Sequence, residues 1–159
     1  MFSLFNWKKQ ELIFVLSVLV VILGISQLQL RVGQMKARDA QRKADVELVG
    51  RALWNYYEVY EQFPAARDGQ IVMCGDILDL ACGWGKDSLK DEEGIVYLRM
   101  LPQDPLISKG WQYVYEASPD GKGFRISVAL EYRQDPAYKT NLTTSCSVGL
   151  QCNWYVGNY

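Results

Sequence analysis

The chain has 159 residues, with 17 Lys or Arg against 18 Asp or Glu and no His, for a formal net charge of −1. Once an apolar N-terminal segment is set aside, this length leaves room for one domain of about 100 residues with a modest core. The most common proton shuttle is missing, no Ser or Cys has a recognisable base nearby, and no phosphate-binding glycine loop is present. The sequence therefore predicts no enzymatic activity and no cofactor.

An uncharged stretch from Leu12 to Leu30 dominates the N-terminal part of the chain. Uncharged runs of about 18 or more residues match a bilayer core about 30 Å thick, because a helix satisfies its own backbone groups. A cleaved signal peptide, with Lys8 and Lys9 as its basic start, and a buried helix of a soluble core are the alternatives. Because no small-x-small cleavage pattern follows and apolar residues occupy all faces, we predict a retained transmembrane helix over residues 12–30.

Residues 1–11 are too few for a domain and are predicted to form a short cytoplasmic N-terminus. Trp7 and the two lysines suit the headgroup level of a membrane. Glu11 stands at the start of the apolar run, where the helix dipole favours a carboxylate but lipid makes it costly. It is either a simple interfacial charge or a partner for a positive group on a neighbouring subunit.

Residues 31–63 are predicted to continue the helix as an amphipathic extension. One apolar stripe recurs at spacings of three and four: Val46, Val49, Leu53, Tyr56, Tyr60 and Phe63. The part from Lys36 to Ala44 shows only alanines between charges, so we expect a solvated stalk or a surface that packs on copies of itself. Acidic residues interleave with its basic ones, and no nucleic-acid partner is expected.

Residues 64–159 are predicted to form a globular domain, since Phe63-Pro64 ends the helix. The expected elements are a helical turn at 76–80, a helix over 91–100, strands over 111–115, 124–132 and 153–156, and a hairpin connection at 118–123. The predicted fold class is α+β: a long N-terminal helix, half membrane and half amphipathic, packed on a small antiparallel β-sheet.

Four cysteines form two close pairs, Cys74 with Cys82 and Cys146 with Cys152. Loops this short favour disulfides within each pair, whereas a zinc site would need tighter spacings and usually His. We therefore predict two disulfides and no metal, which places the C-terminal domain in an extracytoplasmic space. The basic flank after the apolar run argues for the opposite orientation, and we give the cysteines more weight.

Two acidic features of the sequence could bind a cation, but each has a simpler interpretation. The run Asp87, Asp91, Glu92 and Glu93 lacks the alternating spacing of a calcium loop, so we predict a solvated acidic face. Asp104 lies between two prolines, and we predict a turn residue there.

The order of these segments resembles type IV pilins and the pseudopilins of type II secretion. The segment KARDAQRKADVELVGRALWNYYEVYEQFP is similar to their helix-to-loop region, and LPQDP with WQYVYEASPDGKGFRISVALE is similar to the turn and hairpin of major pseudopilins. At the family's processing site a Gly and a Phe precede a Glu. Here Glu11 matches the Glu, while Asn6 and Trp7 occupy the other two positions, so the prepilin cleavage site is degenerate.

This resemblance implies a structural subunit of a helical filament whose core is the bundled N-terminal helices, with Glu11 neutralising a neighbour's amino terminus. Its partners would be copies of itself, other pilin-like subunits, an inner-membrane assembly platform and membrane lipid. The alternative is a single-pass, membrane-anchored binding module that does not polymerise, with Trp84, Trp111 and Trp154 as candidate contacts. Burial in a small core is the expected fate of at least two of these tryptophans.

Overall fold

The computed structural model describes residues 8–72 and 80–159. The chain divides into two compact units, residues 1–37 and residues 38–159. One helix, α1, spans Lys9–Tyr60 and contributes to both units. The predicted helical turn at 76–80 falls largely outside the described residues.

In the first unit, α1 supplies an exposed apolar rod. Every residue from Leu12 to Leu30 is exposed. The two hydroxyl groups in the run are satisfied within the helix, since Ser17 donates to the carbonyl of Phe14 at 2.7 Å and Ser26 to that of Ile22 at 2.9 Å. Serine can therefore lie in an apolar surround without an unpaired donor.

The second unit has an α+β fold, as predicted, in which the C-terminal part of α1 packs on small antiparallel sheets. Its strands are β1 (Ala66–Arg67), β2 (Gln70–Ile71), β3 (Leu89–Lys90), β4 (Val96–Leu98), β5 (Val114–Ala117), β6 (Phe124–Val128), β7 (Ser145–Ser147), β8 (Leu150–Gln151) and β9 (Trp154–Gly157). The central sheet has the order β5-β6-β9, and β1-β2, β3-β4 and β7-β8 are separate two-stranded sheets.

The core lies between α1 and the central sheet. The predicted stripe is buried at Val46, Val49 and Leu53, and β6 buries alternate residues Phe124, Ile126 and Val128 against it. Other residues of this core include Ile71, Leu89, Leu101, Tyr113 and Tyr115. Helix and sheet approach closely at Gly50, where an added Cβ would lie 3.2 Å from a side-chain methyl group of Val156, so a larger residue there would require that side chain to move by a few tenths of an ångström.

The predicted helix over 91–100 is wrong, because this segment forms the β3–β4 hairpin. Gly94 adopts a positive φ of 81°, which turns the chain. The Asp91 carboxylate accepts the backbone N–H of Ile95 at 2.8 Å and closes the turn from the inside. The following Ile95-Val96 pair is β-branched, which favours a strand over a short helix with no other stabilising contacts.

The helix ends three residues before the predicted position. Tyr60 is the last residue of α1, and Glu61 follows with a positive φ of 53°. Phe63 is buried against Tyr57 and Phe124, with ring centroids 4.6 Å apart in both pairs. The predicted 118–123 connection does join β5 to β6, and the strands predicted over 111–115, 124–132 and 153–156 appear with shifted ends.

Candidate assembly surface

The exposed part of α1 is the largest apolar surface of the first unit. The helix is long and apolar enough to cross a membrane, and no residue of its most apolar stretch is buried. A buried helix of a soluble core, one of the sequence-based alternatives, is therefore wrong. Gly24 and Gly33 leave open space beside the backbone, since an added Cβ at either position meets no atom within 4 Å. Glycines of this kind allow a second helix to approach closely.

Glu11 lies in the first turn of α1 and is exposed. Its carboxylate accepts the backbone N–H of Lys8 at 3.2 Å. The side chain thus satisfies one of the donors that a helix N-terminus leaves unpaired, in the position where the helix dipole favours a negative charge. Because the contact uses one oxygen of an exposed group, the other oxygen stays available to a cation.

The second unit contains a buried arginine close to its N-terminal end. The side chain of Arg42 is 0% exposed, and its guanidinium binds Asp104 through two bonds, Nε to Oδ2 at 2.8 Å and Nη2 to Oδ1 at 3.0 Å. Its Nη1 donates to Asp39 and to Glu131, both at 2.8 Å. Trp111 covers the guanidinium plane, with its ring centroid 4.7 Å from Cζ. A planar fork with five donors fits this multidentate arrangement, which Lys could not reproduce.

The acidic partners of Arg42 are themselves held by the backbone. The Asp39 carboxylate accepts the backbone N–H of Glu131 at 2.9 Å and that of Tyr132 at 2.8 Å. Asp104 accepts the N–H of Leu106 at 2.7 Å, which is the turn role predicted for it. The cluster therefore fastens α1 to the 104–106 turn and to the chain after β6.

Two further ion pairs extend this cluster along α1. Arg38 binds Glu131 through two bonds of 2.6 Å and 2.7 Å, and Lys43 binds Asp135 at 2.8 Å. Burial raises the pKa of the Glu131 carboxyl, but the hydrogen bonds from Arg38 and Arg42 outweigh it and hold that pKa below its usual value. The hydrogen bond from Lys43 likewise lowers the pKa of Asp135.

Burial also opposes the charge on Arg42, but its hydrogen bonds to Asp104 and Glu131 outweigh this effect and raise the pKa of the guanidinium. Arg42 and Glu131 are therefore both charged at neutral pH. We expected the helix from Lys36 to Ala44 to be a solvated stalk or a self-packing surface; instead its charged residues Asp39 and Arg42 are buried while its alanines are exposed. The reason is that loops distant in sequence supply the counter-charges.

The acidic run does not form the solvated face that we predicted, because two of its members have structural roles. Asp91 is 3% exposed and accepts the Tyr97 hydroxyl at 2.9 Å as well as the Ile95 N–H. Asp87 accepts the N–H of Gly83 at 2.7 Å. Burial raises the pKa of Asp91, but these backbone and hydroxyl donors outweigh it and lower that pKa overall. Glu92 and Glu93 are exposed, as expected.

The Cys146–Cys152 disulfide is present, as predicted, with a Cα–Cα distance of 5.1 Å. It closes the β7–β8 hairpin and lies in a small buried cluster with Val114 and Ala129. Cys82 also takes part in a disulfide, and its predicted partner Cys74 lies outside the described residues.

The three tryptophans considered as ligand contacts are all half-buried and engaged in packing. Trp84 meets Tyr113 edge to face with centroids 5.6 Å apart, Trp111 lies against Arg42, and Trp154 lies 5.7 Å from the Lys43 ammonium. Trp84 and Trp154 pack on the main core and Trp111 on the smaller cluster. Their burial follows the expectation for a small core and leaves no exposed aromatic platform among them.

Among residues 8–72 and 80–159, no group of three or more acidic or cysteine side chains could hold a metal ion. The carboxylates that do converge, those around Arg42, are occupied by the guanidinium. Comparison with protein-family models, with curated proteins and with solved structures finds no significant match to this chain. The functional assignment therefore depends on the physical features of the two units.

The buried arginine cluster is the feature that sequence reasoning missed. One signal was available, the Asp39–Arg42 pair at i and i+3 on one helix face. The decisive partners are 62 and 89 residues away along the chain, and no local pattern relates positions so far apart.

Proposed function

We propose that the protein is a structural subunit of a type IV pilus-like or type II secretion pseudopilus filament, which assembles through its N-terminal apolar helix. The observation that carries this proposal is the contrast along α1. Its residues from Leu12 to Leu30 are exposed and uncharged, whereas the residues from Asp39 to Tyr56 bury one face in the globular unit. The apolar part needs partners that the described chain does not provide.

Membrane lipid can cover this surface, and so can the same helix of neighbouring subunits. Lipid is as apolar as leucine, so helices associate in it through close packing of small residues and through polar contacts. The chain offers both: Gly24 and Gly33 expose the backbone, Ala37, Ala40 and Ala44 form an exposed small-residue stripe, and Glu11 offers a carboxylate. Heterologous contacts between identical subunits build open helical filaments when the rotation between neighbours does not close into a ring.

In this proposal the N-terminus is cytoplasmic and the globular unit is extracytoplasmic. The Cys146–Cys152 disulfide supports that orientation, because disulfides persist in oxidising compartments. The buried arginine cluster supports a rigid subunit, since it fixes the start of the globular unit to α1 and prevents the helix there from acting as a loose stalk.

Glu11→Ala in cells that express the full chain with its assembly machinery tests the proposal. We expect wild-type protein in the sheared surface fraction, as filaments by electron microscopy and as a band by immunoblot, and we expect the variant to be lost from that fraction. Glu58→Ala, which removes an exposed carboxylate from the same helix, is the matched control and should assemble. An intact Cys146–Cys152 disulfide in both variants would show that the globular unit still folds.

Normal filaments from Glu11→Ala would contradict the pairing role of Glu11. Wild-type protein that stays wholly in the membrane fraction would contradict polymerisation and favour the anchored binding module. Digestion of cells whose outer membrane has been opened, with a protease added outside, tests the orientation separately, since an extracytoplasmic globular unit is cleaved while the cytoplasmic membrane stays intact.

A further inference from the structure

A short loop in the second unit contains the triplet Asn141-Leu142-Thr143. An Asn followed by any residue except Pro and then by Ser or Thr is the acceptor pattern for N-linked glycosylation. Three-residue patterns occur by chance, so the local structure has to show whether a transferase could use this one.

The structure leaves the triplet accessible. Asn141 and Thr143 are both exposed, and in the described part of the chain neither side chain makes a hydrogen bond. The loop is anchored just outside the triplet, where the Lys139 N–H donates to Asn153 at 2.7 Å and the Cys152 N–H donates to the Thr144 carbonyl at 2.8 Å.

Between these anchors, residues 140–143 have no backbone hydrogen bond to any described residue. Leu142 lies within this segment and packs, half-buried, on the cluster around the Cys146–Cys152 disulfide. A transferase could therefore draw the triplet into its own active site without breaking secondary structure, since such a loop opens at low free-energy cost. Acceptor asparagines inside helices or sheets lack this freedom.

We propose that Asn141 is the acceptor of an N-linked oligosaccharide, delivered from a lipid-linked diphosphate donor by an extracytoplasmic transferase. The Asn141 carboxamide nitrogen forms a bond to the anomeric carbon of the first sugar, and the bond from that carbon to the diphosphate oxygen breaks. The lipid diphosphate leaves, and one amide proton passes to a base of the transferase. Thr143 supplies the hydroxyl by which the transferase recognises the triplet.

This inference rests on the extracytoplasmic orientation in the proposed function, because the transferase and its donor act on that side of the membrane. The neighbouring disulfide supports an extracytoplasmic position for Asn141. Cys146 lies three residues after Thr143 and is oxidised, as expected in an oxidising compartment. A bulky, solvated group on an exposed loop would leave the core undisturbed.

The test is mass spectrometry of the full chain purified from the membranes of its source cells, with and without an amidase that releases N-linked glycans. We expect a glycan on the peptide that contains Asn141, and conversion of Asn141 to Asp on release. Asn141→Gln and Thr143→Ala should both abolish the glycan, whereas Thr143→Ser should retain it. The matched controls are Asn55→Gln, an exposed Asn outside any such triplet, and Thr140→Ala, an exposed Thr on the other side of Asn141; both should keep the glycan.

An unmodified Asn141 in wild-type protein overturns the proposal, as does a glycan that survives Thr143→Ala. The orientation is scored on the same cells, through protease added outside before purification and through the redox state of the Cys146–Cys152 peptide afterwards. Unmodified Asn141 with an intact disulfide and cleavage from outside refutes glycosylation alone. Unmodified Asn141 with reduced cysteines and protection from protease refutes the orientation as well.

Discussion

Replacing Arg42 by Met removes the charge at the centre of the buried cluster but keeps most of the volume of the side-chain stem. Asp39 and Asp104, with side chains 3% and 1% exposed, then lose the buried cation that they share. Each retains backbone donors, and Glu131 retains Arg38. Breaking a buried ion pair by removing one partner costs about 3–5 kcal/mol, because a buried charge is left uncompensated.

That cost is large against the total stability of a domain of this size, which is about 5–15 kcal/mol. With an m value of about 2 kcal/mol per M of urea, the unfolding midpoint should fall by about 2 M. The assay is urea unfolding of the full chain in detergent micelles, followed by tryptophan fluorescence, in which Trp111 reports directly on the cluster. Arg38→Met is the matched control, since its side chain is 29% exposed, and it should cost about 1 kcal/mol or less.

Acidification gives this prediction a second readout. The pKa of Glu131 is lowered from 4.5 in the folded state and that of Asp135 from 3.8. Their contribution to stability is therefore complete above those values and is lost as the pH falls through the folded pKa values. Wild type should lose stability below about pH 4.5, and the deficit of Arg42→Met should shrink there, since Glu131 loses in acid the charge that its hydrogen bond from Arg42 stabilises. A loss of about 1 kcal/mol or less for Arg42→Met at neutral pH, or a deficit that grows in acid, would refute the reasoning.

Tyr113→Phe should lower the free energy of unfolding by about 1 kcal/mol in the same assay, because the buried hydroxyl donates to Asp45 at 2.9 Å. Tyr155→Phe is its control, and equal losses in the two variants would contradict a role for the hydrogen bond. Replacing Cys146 and Cys152 together by Ser should cost about 2 kcal/mol, as expected for a short closed loop. A double variant as stable as wild type would show that the hairpin is held by its packing alone.

Local patterns predicted much of the fold because they report which face of an element is buried. The stripe from Val46 to Leu53 and the alternation of Phe124, Ile126 and Val128 are regular repeats, and both lie in the core. The Cys146–Cys152 pair was predictable from its short spacing. The 91–100 segment was predicted wrongly, since its apolar residues suit a helix or a strand and only the turn around Gly94 and Asp91 selects the hairpin.

Helix α1 likewise has one part that the sequence predicts and one part that only the tertiary structure determines. The uncharged run after Glu11 is a property of composition, so the sequence by itself determined that the chain has a helix long and apolar enough to cross a membrane. The fate of the charged part of α1 depended on the tertiary structure. Whether Arg42 faces water or a neighbour, or is buried, depends on the distant Asp104 and Glu131, whose positions are set by the 104–106 turn and by the chain that follows β6. Whether a charged side chain is buried depends on how close its counter-charges lie in the folded chain, and a local sequence pattern does not give those distances.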